Sequence, residues 1–316
     1  MKQILFAAAF AFFFSVTVAQ EATADPRFNF RDLLSLMPEQ PASPDLKSIV
    51  LPNNIKLEYV EQGDPAGTPV IFLHGLGDTW RSYQMVLQQL PASIHAYSVT
   101  QRGHGGADKP IKEYDVKDFS EDVFLFMNEL NIESAFIVGH SMGGTIAQRF
   151  VLDHPEKTLG IVLIGSFVSF TGNESVREFT AYVNMLKDPI DPDFAQQFQS
   201  GTVVKPVPVE FMDGVIYDAQ LLPARGWKEI IKRFYDADYS SEFNTINKPA
   251  LLIWGDKDEI ATARDQQKLE SGIPDAQLKI YRNTGHSVHW EEPASVANDL
   301  VQFIEAIRIH SVHRII

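Results

Sequence analysis

The sequence predicts an α/β domain: a mostly parallel central sheet flanked by helices, interrupted by an inserted helical cap. Three observations carry that prediction. Short apolar, β-branched runs recur along the 316-residue chain, as strands buried on both faces do. Amphipathic helical stretches alternate with them, and that alternation builds a parallel sheet covered on both sides. One long stretch, 166–245, then breaks the alternation with bulky apolar residues, prolines and short helical patches but no buried strand. It is too long for a loop inside a compact domain.

Residues 1–24 read as a secretory signal peptide. Lys2 gives a basic start, Ile4 to Val18 is almost wholly apolar, and small residues follow, with cleavage positions after Ala19 and after Ala24. The apolar run is shorter than the ~20 residues a spanning helix needs, so no stable membrane span is expected after cleavage. The mature chain is expected to be periplasmic or secreted. Residues 25–47, with Pro26, Pro38, Pro41 and Pro44, read as a linker containing one short helix at Phe30–Leu36.

The core is expected from 48–165 and 246–316. Lys56–Glu61 alternates apolar and polar residues, as an antiparallel edge strand does. Val70–Leu73, Ile94–Val99, Ala135–Val138, Ile161–Ile164, Ala250–Trp254 and Leu278–Tyr281 are the buried parallel strands. Helices are expected at Tyr83–Gln89, Val116–Leu130, Met142–Asp153 and Ala294–Ile307. In Val116–Leu130, Phe119, Val123, Phe126, Met127 and Leu130 share one face. Beyond Ile307 the chain either extends the last helix or forms a tail. Within the cap, Trp227–Tyr235 has helical patterning. Most of the cap's aromatic residues are expected in its own core, with a minority lining a pocket.

The chemistry is concentrated at Ser141. A β-branched run ends at Gly139, a helical pattern starts at Met142, and the serine lies between them in Gly139-His-Ser-Met-Gly143. A serine on such a strand-to-helix turn is a nucleophile elbow. The turn lifts the hydroxyl clear of the sheet and leaves the Met142 N–H at a helix N-terminus, aimed at an oxyanion forming beside the serine. The hydroxyl needs a base, and with this elbow the acid and then the histidine follow in sequence. Five of the nine histidines precede the acid region, and His310 and His313 lie in the C-terminal run. His286 follows the last strand on a glycine-bearing loop, at the sheet edge where catalytic groups collect. His289 is expected to face the opening or pack beside Trp290. The acid should also follow a strand. Leu251–Trp254 runs into Gly255-Asp256-Lys257-Asp258, and residue chemistry leaves Asp256 and Asp258 both open. The second oxyanion donor is expected from Leu73-His-Gly-Leu-Gly77, with Leu76 supplying the N–H.

These motifs, with Gln101-Arg-Gly-His-Gly105 and Gly285-His286, make residues 51–307 resemble the α/β-hydrolase superfamily, in its cap-bearing serine-hydrolase branch. The resemblance implies Asp258 as the acid, since the family places it three residues after the glycine that ends the strand. It also implies Leu76 as the second oxyanion donor and a structural role for His140. Thr100 and Ala107 depart from the family's usual Asp and Ser in the turn after the fourth strand. Those departures bear on turn stability.

The resemblance implies cleavage of carboxylic esters of small to medium hydrophobic substrates through an acyl-enzyme. Ser141 counts against the dehalogenases and epoxide hydrolases of the superfamily, which use aspartate there. Two alternatives stand beside it: a carbon–carbon bond hydrolase, and a receptor-like member that binds a small molecule with weak turnover. No cofactor is implied, and the histidines lack zinc-ligand spacing with acidic partners. A net charge of −14 argues against nucleic acid as a partner. With no cysteine the chain forms no disulfides, which a domain this large does without.

Overall fold

The structure, a computed structural model, describes residues 45–171 and 173–313. The expected signal peptide and the helix at Phe30–Leu36 lie outside the described residues. In chain order come β1 (Leu46–Val50), β2 (Lys56–Gln62), β3 (Thr68–Leu73), the one-turn helix α1 (Gln84–Leu87), β4 (Ile94–Thr100), α2 (Val116–Glu129), β5 (Ala135–His140), α3 (Met142–Asp153) and β6 (Thr158–Ile164). Four helices follow with no strand among them: α4 (Glu174–Val183), α5 (Pro192–Ser200), α6 (Val209–Leu221) and α7 (Ala224–Phe234). The chain returns to the sheet as β7 (Ala250–Gly255), α8 (Ala263–Gly272), β8 (Ala276–Tyr281), the short α9 (Val288–Glu291) and α10 (Pro293–His313). The last helix therefore continues past Ile307.

The eight strands lie in the order β1-β2-β4-β3-β5-β6-β7-β8. The pairs β1/β2 and β2/β4 are antiparallel, and every pair from β4 to β8 is parallel. Three expectations change. β8, expected among the buried strands, is an edge of the sheet: Ile280 is 44% exposed and no residue of the strand is buried, because nothing pairs with its outer side among the described residues. β2 is not the edge, because β1 flanks it, and β1 starts at Leu46, inside the segment read as linker. The physical reason is burial. Leu46 and Val50 stay 47% and 63% exposed, so β1 is held by its ladder to β2 and carries no buried apolar run. The polar helix α8 was also not anticipated. It buries only Gln266 and Leu269, and a capping box between Thr262 and Asp265 starts it.

Each parallel strand feeds two cores, because successive side chains point to opposite faces. Val70, Phe72, Phe136, Val138, Val162, Ile164, Leu251 and Ile253 pack with Leu300, Phe303 and Ile304 of α10. Ile71, Leu73, Ile137, Ile161 and Leu163 pack on the other side with Phe119, Phe126, Ile146 and Phe150 of α2 and α3. Residues buried on both faces explain why these strands read as unbroken apolar runs. Phe179, Phe194, Phe198 and Trp227, from α4, α5 and α7, form an aromatic cluster with ring centroids 4.9–6.5 Å apart. Tyr182 and Met185 of the same segment are exposed instead. Among the described residues no helix is long and apolar enough to cross a membrane.

Sheet order also places the site. β3 is followed on one side by β4 and on the other by β5, so the order reverses there, and ligand crevices form at such a switch point. Leu73 pairs with Gly139, which brings the turn after β3 alongside the turn after β5.

Candidate active site

Ser141 sits at φ 53°, ψ −115°, between the end of β5 and the start of α3. Positive φ is uncommon for a residue with a side chain, and here it is the local strain of the elbow. The Ser141 N–H donates to Ile164 O at 3.0 Å, while its carbonyl accepts from Gly144 N at 2.9 Å and Thr145 N at 3.2 Å. These bonds fix the turn from both sides. The glycines are required by close approach. A Cβ on Gly143 would lie 2.0 Å from Leu73 O, and one on Gly139 would lie 2.2 Å from Gly143 O. Helix α3 starts directly on the ends of β3 and β5, and only glycine leaves room.

The turn after β3 is tied to the turn after β4. Gln101 N donates to His74 Nε2 at 3.0 Å, which leaves the His74 proton on Nδ1, facing Gly75 O at 2.7 Å. Gln101 Nε2 donates to His74 O at 2.9 Å. The Gln-Arg-Gly-His-Gly turn is anchored in turn by Arg102, whose guanidinium holds the Asp122 carboxylate of α2 through two 2.6 Å bonds. Leu76 and Met142 both line the pocket beside Ser141, and neither N–H donates to another described group. Two residues with free N–H donors thus border the pocket that holds Ser141.

His286 and Ser141 line the same pocket. His286 Nδ1 lies 2.9 Å from Asp258 Oδ2, and the Asp258 side chain is fully buried. Asp258 Oδ1 accepts from Ile260 N and Ala261 N, both at 2.8 Å. The carboxylate is held on one edge by backbone and turned on the other to the imidazole. Asp256 points elsewhere. Its Oδ1 accepts from Asn283 N at 2.7 Å, so it closes a surface turn. Of the two carboxylates that residue chemistry left open, Asp258 bonds His286 and Asp256 bonds Asn283 N.

The pocket, of ≈ 240 Å³, is walled by Phe170, Val176, Phe179, Phe198, Ile230 and Phe234 on the helical side and by Ile260 and Trp290 on the sheet side. His289 does not face the opening. It is fully buried, with Ser82 Oγ 3.0 Å from its Nε2 and its ring 5.6 Å from Trp290. His140 is buried between His286 and His289, with ring centroids 4.8 and 4.4 Å away.

Asp78 also lines the pocket, and sequence reading missed it, because a lone Asp after glycine reads as an ordinary turn residue. It is 2% exposed and accepts from Gln199 Nε2 and Ser82 Oγ, each at 3.0 Å. Burial pushes its carboxyl up to about 7. Among the described residues no group of three or more His, Asp or Glu side chains is arranged to hold a metal.

A sequence model described as the alpha/beta hydrolase fold matches residues 68–293. This chain belongs to that family. Its relatives include the AB hydrolase superfamily protein YisY of Bacillus subtilis, 27% identical over 256 residues, covering 75% of this chain and 91% of that protein. An esterase from Exiguobacterium antarcticum superposes with a TM-score of 0.75 at 20% identity, covering 82% of this chain and 99% of that one. A meta-cleavage product hydrolase from Pseudomonas fluorescens superposes with a TM-score of 0.72 at 22% identity, covering 82% and 97%.

The buried histidines of this hydrolase set its response to acid. Burial holds His104 down to about 4 and His289 down to about 3, and holds His74 and His140 well below the usual imidazole value. All four stay neutral in the fold while the unfolded chain protonates them near pH 6.5. Stability from their neutral forms is therefore complete above about 6.5 and is lost as pH falls through the folded values. Asp78 has the opposite sign: its raised value gives stability that is lost as pH rises toward 7. Burial raises Asp122 and Asp218 as well, so four imidazoles oppose three carboxyls and outweigh them, each group by up to ~1.4 kcal/mol per pH unit. Melting temperature, followed by circular dichroism, should fall steadily from pH 6.5 to pH 4. A flat profile across that window would contradict neutral burial of these rings.

Proposed function

We propose that this hydrolase is an exported serine esterase for small to medium hydrophobic carboxylic esters. The observation that carries the reading is the convergence of Ser141, the Asp258–His286 pair and two free N–H groups on one apolar pocket. His286 Nε2 takes the proton of Ser141 Oγ as that oxygen attacks the ester carbonyl. Asp258 keeps the His286 proton on Nδ1 and stabilises the imidazolium. The negative charge on the tetrahedral oxygen is held by the Leu76 and Met142 amides. The intermediate collapses, the C–O bond to the alcohol breaks, and His286 returns its proton to the leaving oxygen. Water then attacks the acyl-enzyme with His286 again as base, releasing the acid and restoring Ser141. The likeness to a solved esterase is one of fold alone, so the ester preference rests on the aromatic and aliphatic walls and the absence of Lys and Arg among the pocket residues. Export rests on the basic start, apolar run and small residues of 1–24.

The test is hydrolysis of p-nitrophenyl esters from acetate to laurate. Multiple turnovers are expected, with kcat/KM highest for short or medium chains and falling toward laurate as the acyl group outgrows the pocket. Release of one equivalent or less across the series would reject the esterase in favour of a receptor-like binder. Turnover of a vinylogous diketone alone would favour carbon–carbon cleavage.

A further inference from the structure

The two loops that carry the oxyanion turn and His286 do not touch the helical segment only through apolar side chains. One short stretch of that segment, at the C-terminal end of α5 and just beyond it, is bonded to both. On the oxyanion side, Gln199 Nε2 donates to Asp78 Oδ1 at 3.0 Å and also meets Val215 O at 3.3 Å. Asp78 belongs to the turn itself: its N–H reaches Gly75 O at 3.3 Å, and a Cβ on Gly75 would lie 3.1 Å from Asp78 Oδ2. On the histidine side, Ser287 N donates to Thr202 O at 3.0 Å and Ser287 Oγ donates to Thr202 Oγ1 at 3.0 Å. The Glu291 carboxylate then gathers three backbone donors: Gly285 N at 2.7 Å and Val204 N at 3.1 Å on one oxygen, and Lys205 N at 2.8 Å on the other. Gly285 is the residue before His286.

Bonding of this kind is more than is needed to wall a pocket. Asp78 is 2% exposed and Gln199 1%, so their bond is made away from water, where leaving either group unpaired is costly. The same stretch fixes the residue before the base and the turn that offers the Leu76 N–H. We propose that residues 199–205 form a brace that holds the oxyanion turn and the His286 loop in register, with Asp78 and Glu291 as positioning residues at its two ends. The inference rests on the serine-hydrolase reading of the pocket. Its mechanism is geometric: a shift of about 1 Å in donors or base costs on the order of 100-fold in rate without changing the walls that bind the substrate.

The experiment uses the full chain and the variants Asp78→Ala, Gln199→Leu, their double variant and Glu291→Gln, assayed at about pH 8.5, above the Asp78 titration. Three quantities are read: kcat against KM for the best p-nitrophenyl ester, affinity for an alkyl boronic acid that becomes tetrahedral on Ser141, and the rate of Ser141 labelling by a fluorophosphonate. The brace predicts kcat lower by about 10- to 100-fold with KM within about threefold, and boronate affinity falling in step. Glu291→Gln should slow labelling by a similar factor. The double variant should be no worse than the weaker single one, because both remove the same bond. Variants that lose melting temperature but keep kcat and boronate affinity would overturn the proposal, as would additive losses in the double variant. Should Glu291→Gln not fold, the Asp78 and Gln199 variants still decide. Boronate capture and labelling need no ester turnover. They read the brace even if the wild type hydrolyses no ester, in which case only the ester preference falls.

Discussion

Ser141→Ala is expected to lower kcat by roughly 10⁴- to 10⁶-fold while leaving the protein folded and its pocket able to bind product acid. The size of the loss follows from the division of labour at the site. Without Oγ no acyl-enzyme forms, His286 has no proton to accept, and only the two oxyanion amides and the binding surface remain to favour attack by water. The fold should survive because Ser141 contributes backbone, not side-chain, bonds to the elbow: its N–H to Ile164 O and its carbonyl to Gly144 N and Thr145 N. Alanine keeps all three. Steady-state hydrolysis and a thermal melt on the same preparation check both halves. Activity retained above one-thousandth of wild type would mean that another group is the nucleophile.

Asp258→Asn is expected to lower kcat by about 10⁴-fold, and Asp256→Asn by less than about threefold. In the variant the backbone amides of Ile260 and Ala261 hold the remaining oxygen, since both donate to a single carboxylate oxygen now. The new NH₂ is then forced toward His286. It donates to Nδ1, the imidazole proton moves to Nε2, and the ring no longer accepts the proton of Ser141. Asp256 only closes the turn at Asn283 on the surface. The pair of variants separates two carboxylates two positions apart, after the same strand, with the same chemistry. Equal losses in both would show that the 2.9 Å contact between Asp258 and His286 does not set the tautomer.

What was legible in the sequence follows from burial. Strands β3 to β7 are covered on both faces, so their composition alone marks them. The elbow is legible because close approach of α3 to β3 admits only glycine at Gly143, and glycine is visible in a sequence. β1 was illegible because exposed residues held by a backbone ladder leave no apolar pattern. Polar α8 escaped for the same reason. At the site, motif and strand order singled out Ser141, His286, Leu76 and Met142, while residue chemistry left Asp256 and Asp258 open and only the family resemblance pointed to Asp258, because which carboxylate faces the imidazole is a matter of loop direction. Asp78, Gln199 and Glu291 were illegible because Asp78 and Gln199 pair across 121 residues and Glu291 reaches Val204 and Lys205 across 87 and 86, and no local pattern records such pairings.

The most direct test of the central claim, that Ser141 carries an acyl group through the catalytic cycle, is intact-mass and peptide mass spectrometry of enzyme mixed with excess p-nitrophenyl butyrate and quenched in acid during turnover. The account predicts a butyryl adduct on the peptide containing Ser141 and no adduct on Ser141→Ala. Full turnover with no adduct on that peptide, or an adduct on another residue that persists in Ser141→Ala, would contradict it.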